Sequence, residues 1–222
     1  MYQCCIFDLD GTLLDTIHAL TFTTNRVLER FGLGPVDEAH MMQFVGNGYE
    51  KQLERSLRHC GDQDLKYLEE AKPVYLEEFA KHCMHQVAPY EGIPELLAYL
   101  KEQGIRIAVL SNKPHARTLE NIHTVFGADY FDLVAGERRD VPRKPDPTGA
   151  LLMAEELEVK PEHCLYLGDT NTDMETGIGA GMDTVGVTWG FRSREELESF
   201  HPKYVVDHPS QVIEIVKKAN ET

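Results

Sequence analysis

The chain is predicted to fold as an α/β protein, a doubly wound parallel sheet interrupted by one all-α insertion. Three observations carry that expectation. Short apolar runs recur along the chain, from Cys4-Cys-Ile-Phe7 to Thr184-Val-Gly-Val187. Helical patterns lie between them, and that alternation is what a parallel sheet with crossover helices requires. One interval, from about Thr16 to about Val87, shows helical periodicity alone and is too long for a connecting loop.

Each element has its own local signal. Cys4-Cys5-Ile6-Phe7 reads as a buried first strand. In the insertion, apolar residues fall at helical spacing: Leu20, Val27, Leu28 and Phe31, then Leu53 and Leu57, then Leu65, Leu68, Tyr75, Leu76 and Phe79. The division expected is a core of residues 1–15 and 88–222 and a helical domain of residues 16–87. In the core, Pro94–Gln103 is a helix stopped by Gly104, and Ile105–Leu110 is the second strand. Ala116–Val125 is helical, and Leu133-Val-Ala135 is the third strand. Asp146-Pro147 is expected to cap and begin a helix over Thr148–Leu157. Cys164–Leu167 and Thr184–Val187 supply the fourth and fifth strands, and Ser193-Arg-Glu-Glu196 fits a capping box.

Composition excludes several classes. The 222 residues are 42% hydrophobic, enough for a packed core, so disorder is excluded. Lys and Arg number 22 against 37 acids, a net charge of −15, with no basic block; nucleic-acid binding is not expected. Five cysteines, an odd number without a C-x-x-C pair, argue against a disulfide framework. Cys4, Cys5 and Cys164 are expected in the core. No signal peptide or membrane span is apparent, so a cytoplasmic protein that does not bind membranes is expected.

The chemistry converges on one edge of the sheet. Asp8 and Asp10 directly follow the first strand, where open α/β sheets place ligands, and Gly11 allows a tight turn beside them. The second strand ends in Ser111-Asn-Lys-Pro114, the fourth in Gly168-Asp-Thr-Asn-Thr-Asp173, and the loop after the third holds Arg143-Lys-Pro-Asp-Pro147. Two like charges about 4 Å apart repel by roughly 4 kcal/mol at an effective dielectric of 20. The acids therefore call for a cation, and oxygen-only ligands beside a phosphate suit Mg²⁺. Lys144 can meet a phosphoryl group as a point charge while Ser111 donates its hydroxyl, the equipment of phosphoryl transfer.

Asp8-x-Asp10-Gly-Thr12, Ser111, Lys144 and Gly168-Asp169-x3-Asp173 resemble, in order, the four motifs of the haloacid dehalogenase-like superfamily. The resemblance implies a Rossmann-like core with an inserted all-α cap domain. Within the superfamily, Val45-Gly-Asn-Gly48, Ser111-Asn-Lys-Pro114 and Arg143-Lys-Pro-Asp-Pro147 are most similar to phosphoglycolate phosphatases. The implied roles make Asp8 the nucleophile and Asp10 the general acid/base. Asp8, Asp169 and the Asp10 carbonyl hold Mg²⁺, Asp173 binds or orients a water ligand, and Ser111, Asn112 and Lys144 grip the transferring group. Asp10 also separates hydrolases from dehalogenases.

Plainer readings apply elsewhere. Asp15 is expected to cap the first inserted helix, and Thr12 to brace the catalytic loop. Gly177-Ile-Gly-Ala-Gly181 precedes a strand and lacks the third fingerprint glycine, so it reads as helix packing and a helix end. His82, Cys83 and His85 read as an amphipathic helix surface, without a second ligand pair for zinc. Asn47 is weighed evenly as a substrate contact, while Lys51, Arg55 and Arg58 read as a solvated face and Trp189 as entrance or core. The function expected is Mg²⁺-dependent hydrolysis of a small phosphorylated metabolite, 2-phosphoglycolate first, by a monomer or homodimer. Pyrophosphatases, sugar or nucleotide monophosphate phosphatases and phosphomutases are the alternatives of the same fold. A phospho-acceptor signalling domain, which would hold its phosphate and need no helical insertion, is the rival of a different class.

Overall fold

The computed structural model describes residues 1–221. The chain forms two compact units, Met1–Leu14 with Pro89–Thr222, and Asp15–Ala88. It leaves the first unit through β1 (Cys4–Phe7) and β2 (Leu14–Asp15), and the second contains α1 (Ile17–Arg30), α2 (Glu38–Phe44), α3 (Tyr49–His59) and α4 (Leu68–His82). After β3 (Ala88–Pro89), the first unit resumes with α5 (Ile93–Glu102), β4 (Arg106–Pro114), α6 (His115–Val125), β5 (Leu133–Glu137) and α7 (Thr148–Glu156). It closes with β6 (Cys164–Gly168), α8 (Asn171–Gly179), β7 (Asp183–Val187), α9 (Arg194–Glu198), β8 (Tyr204–Val206) and α10 (Pro209–Asn220). Among the described residues, no helix is long and apolar enough to cross a membrane.

The sheet of the first unit is six-stranded, in the order β5-β4-β1-β6-β7-β8, and every recorded pairing is parallel. The chain winds outward from β1 in one direction and then, through β6, in the other. Such an order places a topological switch point between β1 and β6, where α/β sheets open a ligand crevice. Register then decides which residues face it. Phe7 lies opposite Val109 of β4 and Leu167 of β6, so Asp8, Ser111 and Asp169 emerge within a residue or two of one another along the same edge. Cys4, Cys5 and Cys164 are buried free thiols in the sheet, as small core residues.

Local differences from the sequence reading have local causes. β4 runs four residues past Leu110 to Pro114, with a register irregularity against β5, so Ser111, Asn112 and Lys113 are presented by the strand end on which they were expected. α7 begins at Thr148 with Pro147 at its N-cap position, and Asp146, two residues before the helix, accepts the Thr148 N–H at Oδ1 at 2.9 Å. Ser193 accepts the Glu196 N–H at 3.3 Å, while the Glu196 carboxylate pairs with Arg192. Gly104 and Gly181 end their helices at φ of 69° and 70°, in the left-handed region that glycine tolerates. Strand β8, three residues long, is too short to show a period.

In the helical unit, α1 and α4 are joined by a buried carboxylate. Glu78, 2% exposed, accepts from Arg26 Nε at 2.8 Å and Arg30 Nη2 at 2.7 Å, with Lys81 at 3.3 Å. The Arg26 hydrogen bond, working against burial, holds its carboxyl at about 2. A depressed carboxyl stabilises the fold above its ordinary pKa of about 4.3, and that stabilisation is lost as pH falls towards 2. Because both arginines are half exposed, Glu78→Gln is expected to cost only about 1–2 kcal/mol at neutral pH. Thermal unfolding of both proteins from pH 7 to pH 2 checks this: the gap should narrow below pH 5, and a constant gap would remove Glu78 from the acid limb.

Candidate active site

Three buried carboxylates define the site. Asp8 follows β1, Asp169 follows β6, and Asp173 sits in the first turn of α8, with one oxygen of each within 4.8 Å of the others. Asp173 owes its place to a capping box, its Oδ2 accepting from Thr170 N at 3.1 Å and Thr170 Oγ1 at 2.6 Å. Asp169 accepts from Thr12 Oγ1 at 2.9 Å and from Phe191 N at 2.8 Å. The backbone presses close around it: a Cβ on Gly11, itself at φ 87°, or on Gly190 would fall 2.3 Å from an Asp169 atom.

One ammonium lies among the acids. Lys144 Nζ is 2.8 Å from Asp8 Oδ1 and 2.7 Å from Asp173 Oδ1, and Tyr166 OH is 3.5 Å from the same Asp173 oxygen. Burial, and then the charge of Asp173, pushes the Asp8 carboxyl well above the usual range, with Lys144 opposing. Burial and Asp173 likewise lift Asp169 to about 7. Burial works against the charge of Lys144, yet Asp173 and Asp8 hold its pKa well above that of an ordinary lysine. Three carboxylates against one ammonium leave a formal excess of two negative charges. An all-oxygen donor set with that deficit fits a hard divalent cation such as Mg²⁺.

The other expected residues fall into place around this cluster. Asp10, 18% exposed at its side chain, has its Oδ1 2.7 Å from the ammonium of Lys113. Ser111 is buried, and its Oγ accepts the Lys113 N–H at 3.2 Å. The Asn112 side chain is directed at the main chain of Lys144, donating from Nδ2 to its carbonyl at 2.9 Å and accepting its N–H at Oδ1 at 2.9 Å. The first unit thus brings together Asp8, Asp10, Ser111, Asn112, Lys144, Asp169 and Asp173. Asn47 belongs to the helical unit, between α2 and α3, and accepts from Arg55 Nη2 at 2.8 Å.

Several residues answer their plainer readings. Asp15 Oδ1 accepts the Ile17 N–H at 3.3 Å at the start of α1. Thr12 braces a carboxylate of another strand, and Trp189 Nε1, half-buried, donates to the Thr12 carbonyl at 3.0 Å. Lys51 and Arg58 pair with Glu54 on the surface of α3, whereas Arg55 also donates to the Phe44 carbonyl. Cys83, expected on a helix surface, is buried, while His82 and His85 both pack on the Phe22 ring. Lys113 and Tyr166 were not singled out by sequence. Lys113 carried a usable signal, a lysine continuing an apolar strand between Asn112 and Pro114; Tyr166 is indistinguishable from any core aromatic.

The family model described as haloacid dehalogenase-like hydrolase matches residues 5–187. The chain belongs to the haloacid dehalogenase-like hydrolases. A phosphoglycolate phosphatase of Aquifex aeolicus is 32% identical over 95% of this chain and 95% of its own length. An N-acetylmuramic acid 6-phosphate phosphatase of Pseudomonas aeruginosa is also 32% identical, over 96% of this chain and 94% of its own. Among solved structures, CbbY of Rhodobacter sphaeroides in complex with phosphate superposes with a TM-score of 0.79 at 25% identity, over 96% of each chain. This haloacid dehalogenase-like hydrolase is a phosphoric monoester hydrolase.

Proposed function

We propose that this phosphatase hydrolyses small phosphomonoesters through an aspartyl-phosphate on Asp8, in a Mg²⁺-dependent reaction, with 2-phosphoglycolate as first substrate. The observation that carries this reading is the buried Asp8, Asp169 and Asp173 set with Lys144 between two of its members. Asp8 attacks phosphorus in line, and the ester P–O bond breaks as Asp10 delivers a proton to the departing alkoxide oxygen. Asp10 then takes a proton from the water that attacks the aspartyl-phosphate, releasing phosphate and restoring the Asp8 carboxylate. Ser111 and Lys144 hold the phosphoryl oxygens throughout. Asp8, Asp169 and the Asp10 carbonyl would hold Mg²⁺, with Asp173 binding or orienting its water ligand, and the ion would supply the charge neutralisation that a phosphoryl group approaching these acids requires. The helical unit is read as the family's cap, with Asn47 as its residue for substrate selection.

The two relatives named above are equally identical to this chain and are named for different esters, so a sugar phosphate is the second reading. Both esters carry a carboxylate besides the phosphate, which favours an anionic phosphomonoester as the substrate class. Phosphate release from 2-phosphoglycolate, N-acetylmuramic acid 6-phosphate, nucleotide monophosphates and pyrophosphate, with Mg²⁺ and with EDTA, tests it. A marked metal-dependent preference for 2-phosphoglycolate supports the proposal, and preference for another ester keeps the chemistry and replaces the substrate. Product isomerisation without release would point to a mutase, and a persistent phosphoprotein to a phospho-acceptor.

A further inference from the structure

We propose that Asn112 is a positioning residue: it sets where the Lys144 ammonium stands by clamping the Lys144 main chain, and does not itself grip the substrate. The inference rests on the reading of Lys144 as the group that holds the phosphoryl oxygens. Lys144 lies outside any helix or strand, in the long connection between β5 and α7. A flexible side chain rooted there reaches Asp8 and Asp173 together only if its main chain is held. Two fastenings hold this connection against the sheet. Arg143 Nε donates to Glu137 Oε1 at 2.8 Å at the end of β5. Asn112, at the end of β4, takes both the N–H and the carbonyl of Lys144, each at 2.9 Å.

The second fastening is the one with mechanistic reach. Donor and acceptor of one planar amide meet the acceptor and donor of a single residue, a pairing that fixes both distance and orientation, as between neighbouring strands. Both residues are buried, Asn112 at 7% and Lys144 at 6% exposure, so little water competes for the pairing. Asn112 lies in β4 beside Ser111, in the stretch where the register against β5 shifts. The clamp therefore transmits the position of the Ser111 strand end to the lysine, and the two groups proposed to hold phosphate move as one. No isosteric residue reproduces it: Leu removes both hydrogen bonds, and Asp sets a carboxylate oxygen against the Lys144 carbonyl.

Two measurements test this. In the first, metal-free wild type, Asn112→Leu and Asn112→Ser are pulse-labelled with acetic anhydride, and labelling at each lysine is read by mass spectrometry. Lys144 should label several-fold faster in the variants while the equally buried Lys113 keeps its rate. An unchanged Lys144 rate overturns the clamp, and a parallel rise at Lys113 shows general loosening and overturns it too. The Ser variant serves if the Leu variant does not fold. In the second, Asn112→Ser is combined with Lys144→Met. Misplacing a catalytic group by about 1 Å costs roughly a hundred-fold, so Asn112→Ser should lower kcat/KM on that scale in wild type yet change it little in the Lys144→Met background. Equal losses in both backgrounds would make Asn112 a direct substrate contact. Should the wild type hydrolyse no phosphomonoester, the function fails while the labelling still decides the clamp.

Discussion

Asp8→Asn is expected to lower phosphate release by roughly four orders of magnitude or more, the scale on which removing a covalent nucleophile acts. No alternative nucleophile stands in its place: Asp10 is 2.7 Å from the Lys113 ammonium, Asp169 accepts hydrogen bonds at both oxygens, and Asp173 is committed to Thr170 and Lys144. The same substitution should raise the thermal stability of the protein in EDTA. Burial and the charge of Asp173 disfavour ionised Asp8, so a neutral side chain of the same shape relieves repulsion within a cluster that carries two excess negative charges. Loss of activity with gain of stability is the mark of a site strained for chemistry. Turnover surviving in Asp8→Asn would reject the nucleophile assignment. A large fall in melting temperature would show that Asp8 is held for the fold instead.

Mg²⁺ should have the second largest effect. Binding to the folded state alone at a hundred times the dissociation constant adds about 2.7 kcal/mol, which in a protein of this size raises the melting temperature by roughly 5–10 °C. Asp169→Asn should abolish that rise and the metal-dependent turnover together, since both depend on the same carboxylate. The variant keeps an acceptor for only one of the Thr12 and Phe191 donors, so its stability without metal is set by two opposed changes. The decisive comparison is therefore the difference between Mg²⁺ and EDTA within each protein. A rise of equal size in Asp169→Asn would move the cation elsewhere, and metal-independent turnover in wild type would remove it from the mechanism.

Much of this molecule was open to reading along the chain. Asp8-x-Asp10 after Cys4–Phe7, and Gly168-Asp169 after Cys164–Leu167, announced strand ends bearing acids, because charge directly after a short apolar run marks where a buried strand leaves the core of a parallel sheet. The helical stretch between the two halves of the core was equally plain, since amphipathic periodicity is a local property. Strand β8 was not, because three residues show no alternation, and the buried Cys83 was placed on a surface because its helix register was set only by packing.

Pairing across the site belongs to tertiary structure. Lys113 meets Asp10 across 103 positions, Thr12 meets Asp169 across 157, and Asn112 turns to Lys144 across 32. None of these pairings leaves a trace in spacing, since each depends on parallel register, on the strand irregularity after Leu110 and on the path of the loop that carries Lys144. Sequence alone established which chemical groups the protein possesses and at which strand ends they emerge. The folded chain decided which of them touch: residue types act through local periodicity and charge, whereas a hydrogen bond over a few ångströms is settled only when the whole sheet has closed its register.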